Sequence, residues 1–412
     1  MVVPGRLAAI NQVLEHARRA DFYQRRLPCA PLRSWEEWKA IPFTTKRDLL
    51  EQSPHGMACA PRRELLQYHE SSATTGAPVS VWYSARDLAE IRERFSRWGV
   101  RFTDEDRVLI RFPYALSTIG PFVQMAAQQK GACAIAADSR TTITPLARVV
   151  DLLRRLDVSV LATISLSAVM IAEAAEMAGL DPRRDFPRLR AICCAGEPLS
   201  PARRSLVEGI WGVPVYDNFG MTETGPQAMD CAARRLHPWQ DCFLMEFLDD
   251  HLEREVAPGE TGQLVVTSLT RRATPMIRYV TGDRVRRVDE RCVCGERTTL
   301  EIRGRADDTL RVQGKSFDLW DLEAIVSRLP SRRFWRASPE GDGLRFIVER
   351  EREDDRIAPG LLEELSGAHG ARIDVEIVPK GTLYDRSEPV SFGMLGKPMY
   401  LDRSLARVSA RP

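Results

Sequence analysis

Apolar positions recur at helical spacing at Leu7, Ile10 and Leu14 and predict a helix over residues 5–20. The stretch "RSWEEWKAIPFTTKRDLLE" predicts a helix, a proline break, and a second helix capped by Thr44 or Thr45. Two β-type runs, "LLQYHES" and "VSVWYS", flank a hydroxyl-rich loop. Between about residues 106 and 216 short apolar runs ("RVLIRFP", "ACAIAA", "VSVLATI", "LRAICCAG", "VPVYDNFG") alternate with helical patterns such as "PLARVVDLLRRL". That alternation implies a largely parallel sheet covered on both faces, with ligands beyond the C-terminal ends of its strands. Residues 244–302 change to β hairpins, with "MIRYV" and "RVRRV" read as separate strands. After "RGRADD" comes a smaller unit with the helix "DLWDLEAIVSRL" and the strands "LRFIVER" and "DVEIVP". The predicted fold is α/β. A large domain over residues 1–306, with parallel sheets and a β-rich subdomain, precedes a small mobile α+β domain over 307–412.

At 412 residues a two-domain chain is the default, and 44% hydrophobic with 28% charged residues describes a globular protein. A net charge of +2 gives no global pull toward nucleic acid or membrane, and no apolar run approaches the roughly 20 residues of a membrane span. No secretory signal is visible. The nine cysteines therefore read as reduced thiols or metal ligands in a cytoplasmic protein. Lysine occurs only at 39, 46, 130, 315, 380 and 397, and arginine supplies the remaining positive charge.

Four loops could carry chemistry. Around the first, Ser71, Ser72, Thr74 and Thr75 offer hydroxyls, and Gly76 lets backbone approach a ligand, so an anion nest and a plain Ser/Thr turn are both open. The second, "CAGEPLS", ends a strand at Gly196 and starts a helix that Ser200 can cap. The third, "YDNFGMTETGP", carries an aromatic, two threonines and the acid Glu223. In the fourth, "TGD" puts Asp283 on a turn between strands, where it could accept from a ribose diol.

In this order and spacing the loops resemble the adenylate-forming superfamily, in its phenylacetate–coenzyme A ligase branch. The resemblance covers nearly the whole chain: "IPFTTKRDL", "SSATTGAP", "YALSTIG", "AGEP", "YDNFGMTETGP", "PMIRYVTGD", "RGRADDTLRVQGKSFDLWDLE" and "GKPMYLDR". It implies attack of a carboxylate on the α-phosphate of ATP, giving acyl-AMP and pyrophosphate, followed by acyl transfer to a thiol. Ser72, Thr74, Thr75 and Gly76 would cradle phosphates, and Glu197 and Pro198 would flank adenine. Asp217 would bond the adenine amine, Phe219 would stack, and Met221 would complete the nucleotide wall. Thr222 would touch the α-phosphate, Glu223 would hold Mg²⁺, and Asp283 and Arg305 would bind ribose. Lys397 would be the mobile cation of adenylation, Asp307 the hinge, and Gly314 and Lys315 the face toward CoA.

Two departures from the family pattern bear on ATP. Ala73 replaces a glycine, and Ala77 replaces a lysine, whose lost contact costs about 1.5–3 kcal/mol. Tyr114, Ser117, Ile119 and Gly120, with Ala195, Gly196 and Gly220, align with the aryl pocket. Ser117, where an aromatic is usual, points to a hydroxy- or aminobenzoate-like acid.

Separately, Cys231-x5-His237 and Cys292-x-Cys294 supply a ligand set for a closed structural Zn²⁺ site, preferred over a buried cysteine and a bare hairpin tip. Cys193, Cys194 and Cys242 read as core. The leading expectation is an AMP-forming aryl-acid:CoA ligase, with a homodimer as a candidate assembly and either aromatic catabolism or natural-product assembly as its setting. Transfer to a carrier-protein thiol or an amine, and a non-catalytic binder of aryl acid or nucleotide, are the alternatives.

Overall fold

The computed structural model describes residues 6–71, 78–386 and 400. The expected phosphate-loop residues Ser72, Thr74, Thr75 and Gly76, and the expected mobile Lys397, lie outside the described residues.

A seven-stranded sheet organises the first half of the chain. Its order is Cys133–Ala136, Arg107–Arg111, Val160–Thr163, Ala191–Ala195, Val215–Met221, Gly225–Asp230 and Leu236–Pro238. The first five strands are parallel and the last two antiparallel. The inner parallel strands are mostly apolar because both faces are covered. Val108, Ile110 and Cys193 enter one core while Leu109, Leu161 and Cys194 enter another.

Local chemistry starts the helices. Thr45 with Asp48 and Ser84 with Asp87 form capping boxes ahead of Lys46–Gln52 and Ala85–Phe95. Ser200 accepts from the Arg203 backbone N–H ahead of Pro201–Trp211. Leu65–Glu70 and Ser80–Ser84 pair as an antiparallel hairpin, and the Ser71 hydroxyl accepts from the Val79 N–H at 3.0 Å.

Phe243–Leu248, Thr261–Ser268, Tyr279–Val288 and Thr299–Arg305 form a four-stranded antiparallel sheet in chain order. The expectation of a turn at Asp283 is corrected here. "MIRYV" and "RVRRV" share the single strand Tyr279–Val288, with Asp283 inside it opposite Arg305. Gly282, at φ +75°, takes a conformation that side chains resist. The ladder answers with register shifts on both neighbours instead of reversing the chain.

This sheet is tied to the N-terminal segment by a buried ion pair. Arg278 reaches Glu246 at 2.9 Å and also donates to the Lys39 and Ile41 carbonyls. From Leu310 onward, a hairpin, the helix Leu319–Val326, three strands (Trp335–Glu340, Gly343–Glu349, Arg372–Val378) and the helix Leu361–His369 close around a core of their own. Phe334 leaves that core and packs into the one beneath Pro201–Trp211. Among the described residues no helix is long and apolar enough to cross a membrane.

Candidate active site

The strand ends that the sequence marked out meet at one rim. Past Ala195, Gly196 turns the chain and Glu197 folds back over the helix Ser165–Met177. There its carboxylate accepts from the Leu166 N–H at 2.9 Å and from the Ser165 hydroxyl. Burial pushes the Glu197 carboxyl up, while the Arg203 guanidinium pulls the other way. Pro198 follows it at the same rim, half-buried.

On the next strand, Asp217 is held from both sides. Its N–H donates to Asp230 at 2.7 Å, and its carbonyl accepts from the Trp98 indole at 3.0 Å. Its Oδ1 is buried and has no donor. Asp230 is in turn paired with Arg204 at 2.8 Å. Burial, then the neighbouring Asp230 carboxylate, pushes the Asp217 carboxyl up to about 8.

The folded protein therefore keeps a proton on the Asp217–Asp230 pair that the unfolded chain has lost above the usual aspartate range. Stability contributed by that proton is present at low pH and is lost as pH rises through about 8. Asp217→Asn is expected to flatten the fall of the unfolding midpoint between about pH 5 and pH 9. An unchanged slope in thermal melts would assign the proton elsewhere.

Phe219, Gly220 and Met221 finish the strand, and Thr222–Thr224 turn the chain into Gly225–Asp230. Glu223 is buried, with the Tyr279 hydroxyl 3.4 Å from its Oε1. Tyr279 lies on the strand that carries Asp283, so the Thr222–Glu223 turn and the Asp283–Arg305 pair (3.3 Å) share one wall. On the other side the segment 114–120 is tied to the hairpin of Leu65–Glu70 and Ser80–Ser84, because the Glu70 N–H donates to the Leu116 carbonyl at 2.8 Å. Tyr114 and Ile119 pack on the adjoining core, and Gly120 lies in the first turn of Ile119–Gln129. The Tyr114 hydroxyl is buried without a partner, and burial pushes its phenol up to about 12.

Other predicted residues lie apart from the rim. Asp307 falls in the 3₁₀ turn Ala306–Asp308. Gly314 and Lys315 form the tip of a tight hairpin, where the Lys315 ammonium is 3.4 Å from the His369 carbonyl. Several contacts carried no sequence signal. Tyr400 stacks on Trp335, lies under Arg203 and points its hydroxyl at Glu197 (3.4 Å). Arg203 also pairs with Glu323 at 2.8 Å across the two cores.

Away from the rim, Cys231, His237, Cys292 and Cys294 bring their ligand atoms within 4.8 Å of one another. The Cys231 and Cys292 sulfurs are 3.8 Å apart, and Cys294 Sγ is 3.3 Å from His237 Nε2. His237 Nδ1 donates to the Thr298 carbonyl at 2.7 Å, which leaves Nε2 as the lone-pair nitrogen. A tetrahedral zinc with ~2.3 Å Zn–S bonds sets its sulfurs about 3.8 Å apart, so the four residues fit that ion.

The AMP-binding enzyme family profile matches residues 32–270. The phenylacetate-coenzyme A ligase of Thermus thermophilus is 31% identical over 326 residues, 76% of this chain and 72% of its own. That of Aromatoleum evansii is 30% identical over 311 residues, 73% and 68% of the two chains. Among solved structures, 2-hydroxyisobutyryl-CoA ligase in its postadenylation state matches with a TM-score of 0.84 at 24% identity, covering 98% of this chain and 90% of that one.

Proposed function

The chain belongs to the AMP-binding enzyme family, in its phenylacetate–coenzyme A ligase branch, and from that premise we propose that it is an AMP-forming acid:CoA ligase acting on an aromatic carboxylic acid. The observation that carries the nucleotide half of this reading is the buried Asp217 Oδ1 on Val215–Met221, which has no donor among the described residues and is an acceptor suited to an adenine amine. Glu197 and Pro198 border the same base. Thr222 lies where an α-phosphate would pass, Asp283 and Arg305 bind the ribose, and Glu223 holds Mg²⁺ against the phosphates. The reaction gathers negative charge on the α-phosphate, so the protein's part is positioning and electrostatic stabilisation. Lys397 supplies the mobile cation for that step.

The acid is a hydroxy- or aminobenzoate-like one. The buried Tyr114 hydroxyl has no partner among the described residues, and a polar ring substituent would give it one. Ser117 leaves room beside it. Residues 1–306 and 307–412 act as the two domains, with Asp307 as hinge, and CoA approaches the Gly314–Lys315 tip after acyl-AMP has formed. Cys231, His237, Cys292 and Cys294 hold a structural zinc.

The test is pyrophosphate release with Mg–ATP and a panel of aryl acids, with and without CoA, following products by mass. A CoA thioester from a hydroxy- or aminobenzoate is the expected result. Preference for phenylacetate would remove the substrate assignment alone. Acyl-AMP without thioester would transfer the second step to a carrier-protein thiol or an amine.

A further inference from the structure

Arg271 lies on the loop between Thr261–Ser268 and Tyr279–Val288, is 7% exposed, and has only backbone carbonyls as polar partners among the described residues. Its Nη1 donates to the Thr224 carbonyl at 2.8 Å and its Nη2 to the Trp82 carbonyl at 3.2 Å, while its Nε is buried without an acceptor. The guanidinium carbon sits 3.6 Å from the centre of the Tyr83 ring. Tyr83 is fully buried and wedged edge-on against His69 and Phe122, and its hydroxyl donates to the Thr222 carbonyl at 3.2 Å. Two carbonyls of the Thr222–Thr224 turn are thus held from below by one stacked pair.

The pair is fixed from outside the turn as well. Asp87, the capping-box partner of Ser84 in the first turn of Ala85–Phe95, accepts from the Arg272 and Ala273 N–H groups at 2.7 and 3.0 Å and pins the loop that carries Arg271. Gly225, at φ +77°, closes the turn against both side chains. A Cβ there would lie 3.2 Å from Tyr83 Oη and 3.4 Å from Arg271 Nη1. A buried arginine held by two carbonyls and an aromatic face is costly for stability alone, because a hydrophobic side chain would fill the space without burying charge.

We propose that Arg271 and Tyr83 are positioning residues for the phosphate-facing turn Thr222–Gly225, holding Thr222 and Glu223 in register for the nucleotide's phosphates and metal. The proposal rests on the nucleotide reading given above. It assigns to residues beneath the turn a share of the phosphate orientation for which the loop, with Ala77 in place of a lysine, has one cation fewer. Arg271 keeps its charge close to the turn, and Tyr83 fixes the guanidinium plane.

The test compares the wild-type protein with Arg271→Lys and Tyr83→Phe. Arg271→Lys keeps the charge but loses the two-carbonyl fork; Tyr83→Phe keeps the ring and removes only the hydroxyl. Calorimetric affinity is measured for Mg–ATP, and adenosine, which has no phosphate, is measured by competition. Each variant is expected to bind Mg–ATP about fivefold more weakly, the effect of one lost hydrogen bond, with adenosine affinity within twofold of wild type. Equal weakening of both ligands would make the pair merely structural and overturn the proposal, as would Mg–ATP affinity within twofold of wild type in both variants. A wild-type protein that binds no Mg–ATP would overturn the nucleotide reading, and this inference with it.

Discussion

Glu323→Ala is expected to lower acid-dependent pyrophosphate release by about two orders of magnitude or more while leaving each of the two cores folded. Arg203 and Glu323 have side chains only 2% and 4% exposed, and their 2.8 Å contact joins the helix Pro201–Trp211 to Leu319–Val326. Ser200, the cap of the first helix, also donates to Glu323, and Tyr400 lies against the Arg203 guanidinium. Removing the carboxylate leaves a buried guanidinium without its counter-charge, a loss of about 3–5 kcal/mol. That loss falls on docking, since the two groups belong to separate cores. Limited proteolysis near residues 306–309 should accelerate in the variant, and the unfolding midpoint should move little.

The paired exchange Arg203→Met with Glu323→Met gives the opposite pattern. A buried ion pair replaced by apolar groups of similar volume is often neutral or stabilising, so docking and pyrophosphate release recover. Separating two methionines into water is harder than rehydrating two ions, so the thiol-dependent step should slow. If Glu323→Ala leaves pyrophosphate release unchanged, the seam has no part in adenylation.

The seam was hidden from sequence for a physical reason. Nothing marks Arg203 among 59 basic residues, or Glu323 among 57 acidic ones, until two helices 120 positions apart meet. The parallel sheet was legible because its strands are buried on both faces and so read as short apolar runs. The caps at Thr45 and Ser200 were legible because their signal is local. At Asp283 the "TGD" triplet carries the same letters for a turn and for a bulge. The strand Thr261–Ser268 decides between them by pairing on both sides of Gly282, at Arg284 and at Val280. Glu197, Asp217 and Glu223 could be picked out from motif order. Arg271 and Tyr83, which act on backbone carbonyls, have no side-chain pattern to betray them.

Cys231, His237, Cys292 and Cys294 bring their ligand atoms within 4.8 Å of one another, close enough to share one metal ion. The protein as purified is expected to carry one zinc per chain, and Cys294→Ser or His237→Ala to lose it together with about 3 kcal/mol or more of stability, a fall of about 3 °C or more in the unfolding midpoint. Structural zinc contributes roughly 10–16 kcal/mol in peptides that are unfolded without it. Here two ligands sit on a hairpin tip whose strands pair independently, so much of the fold persists without metal. The damage should nevertheless reach the nucleotide. Cys231 directly follows Asp230, the residue that holds the Asp217 N–H and pairs with Arg204. Releasing Cys231 frees the end of that strand, so the zinc-free variants should also bind Mg–ATP more weakly, whereas Arg271→Lys should keep its full zinc content. Metal analysis that finds no zinc, with all three cysteines freely titratable in the folded protein, would remove the site and leave the Cys292–Cys294 segment as a plain hairpin tip.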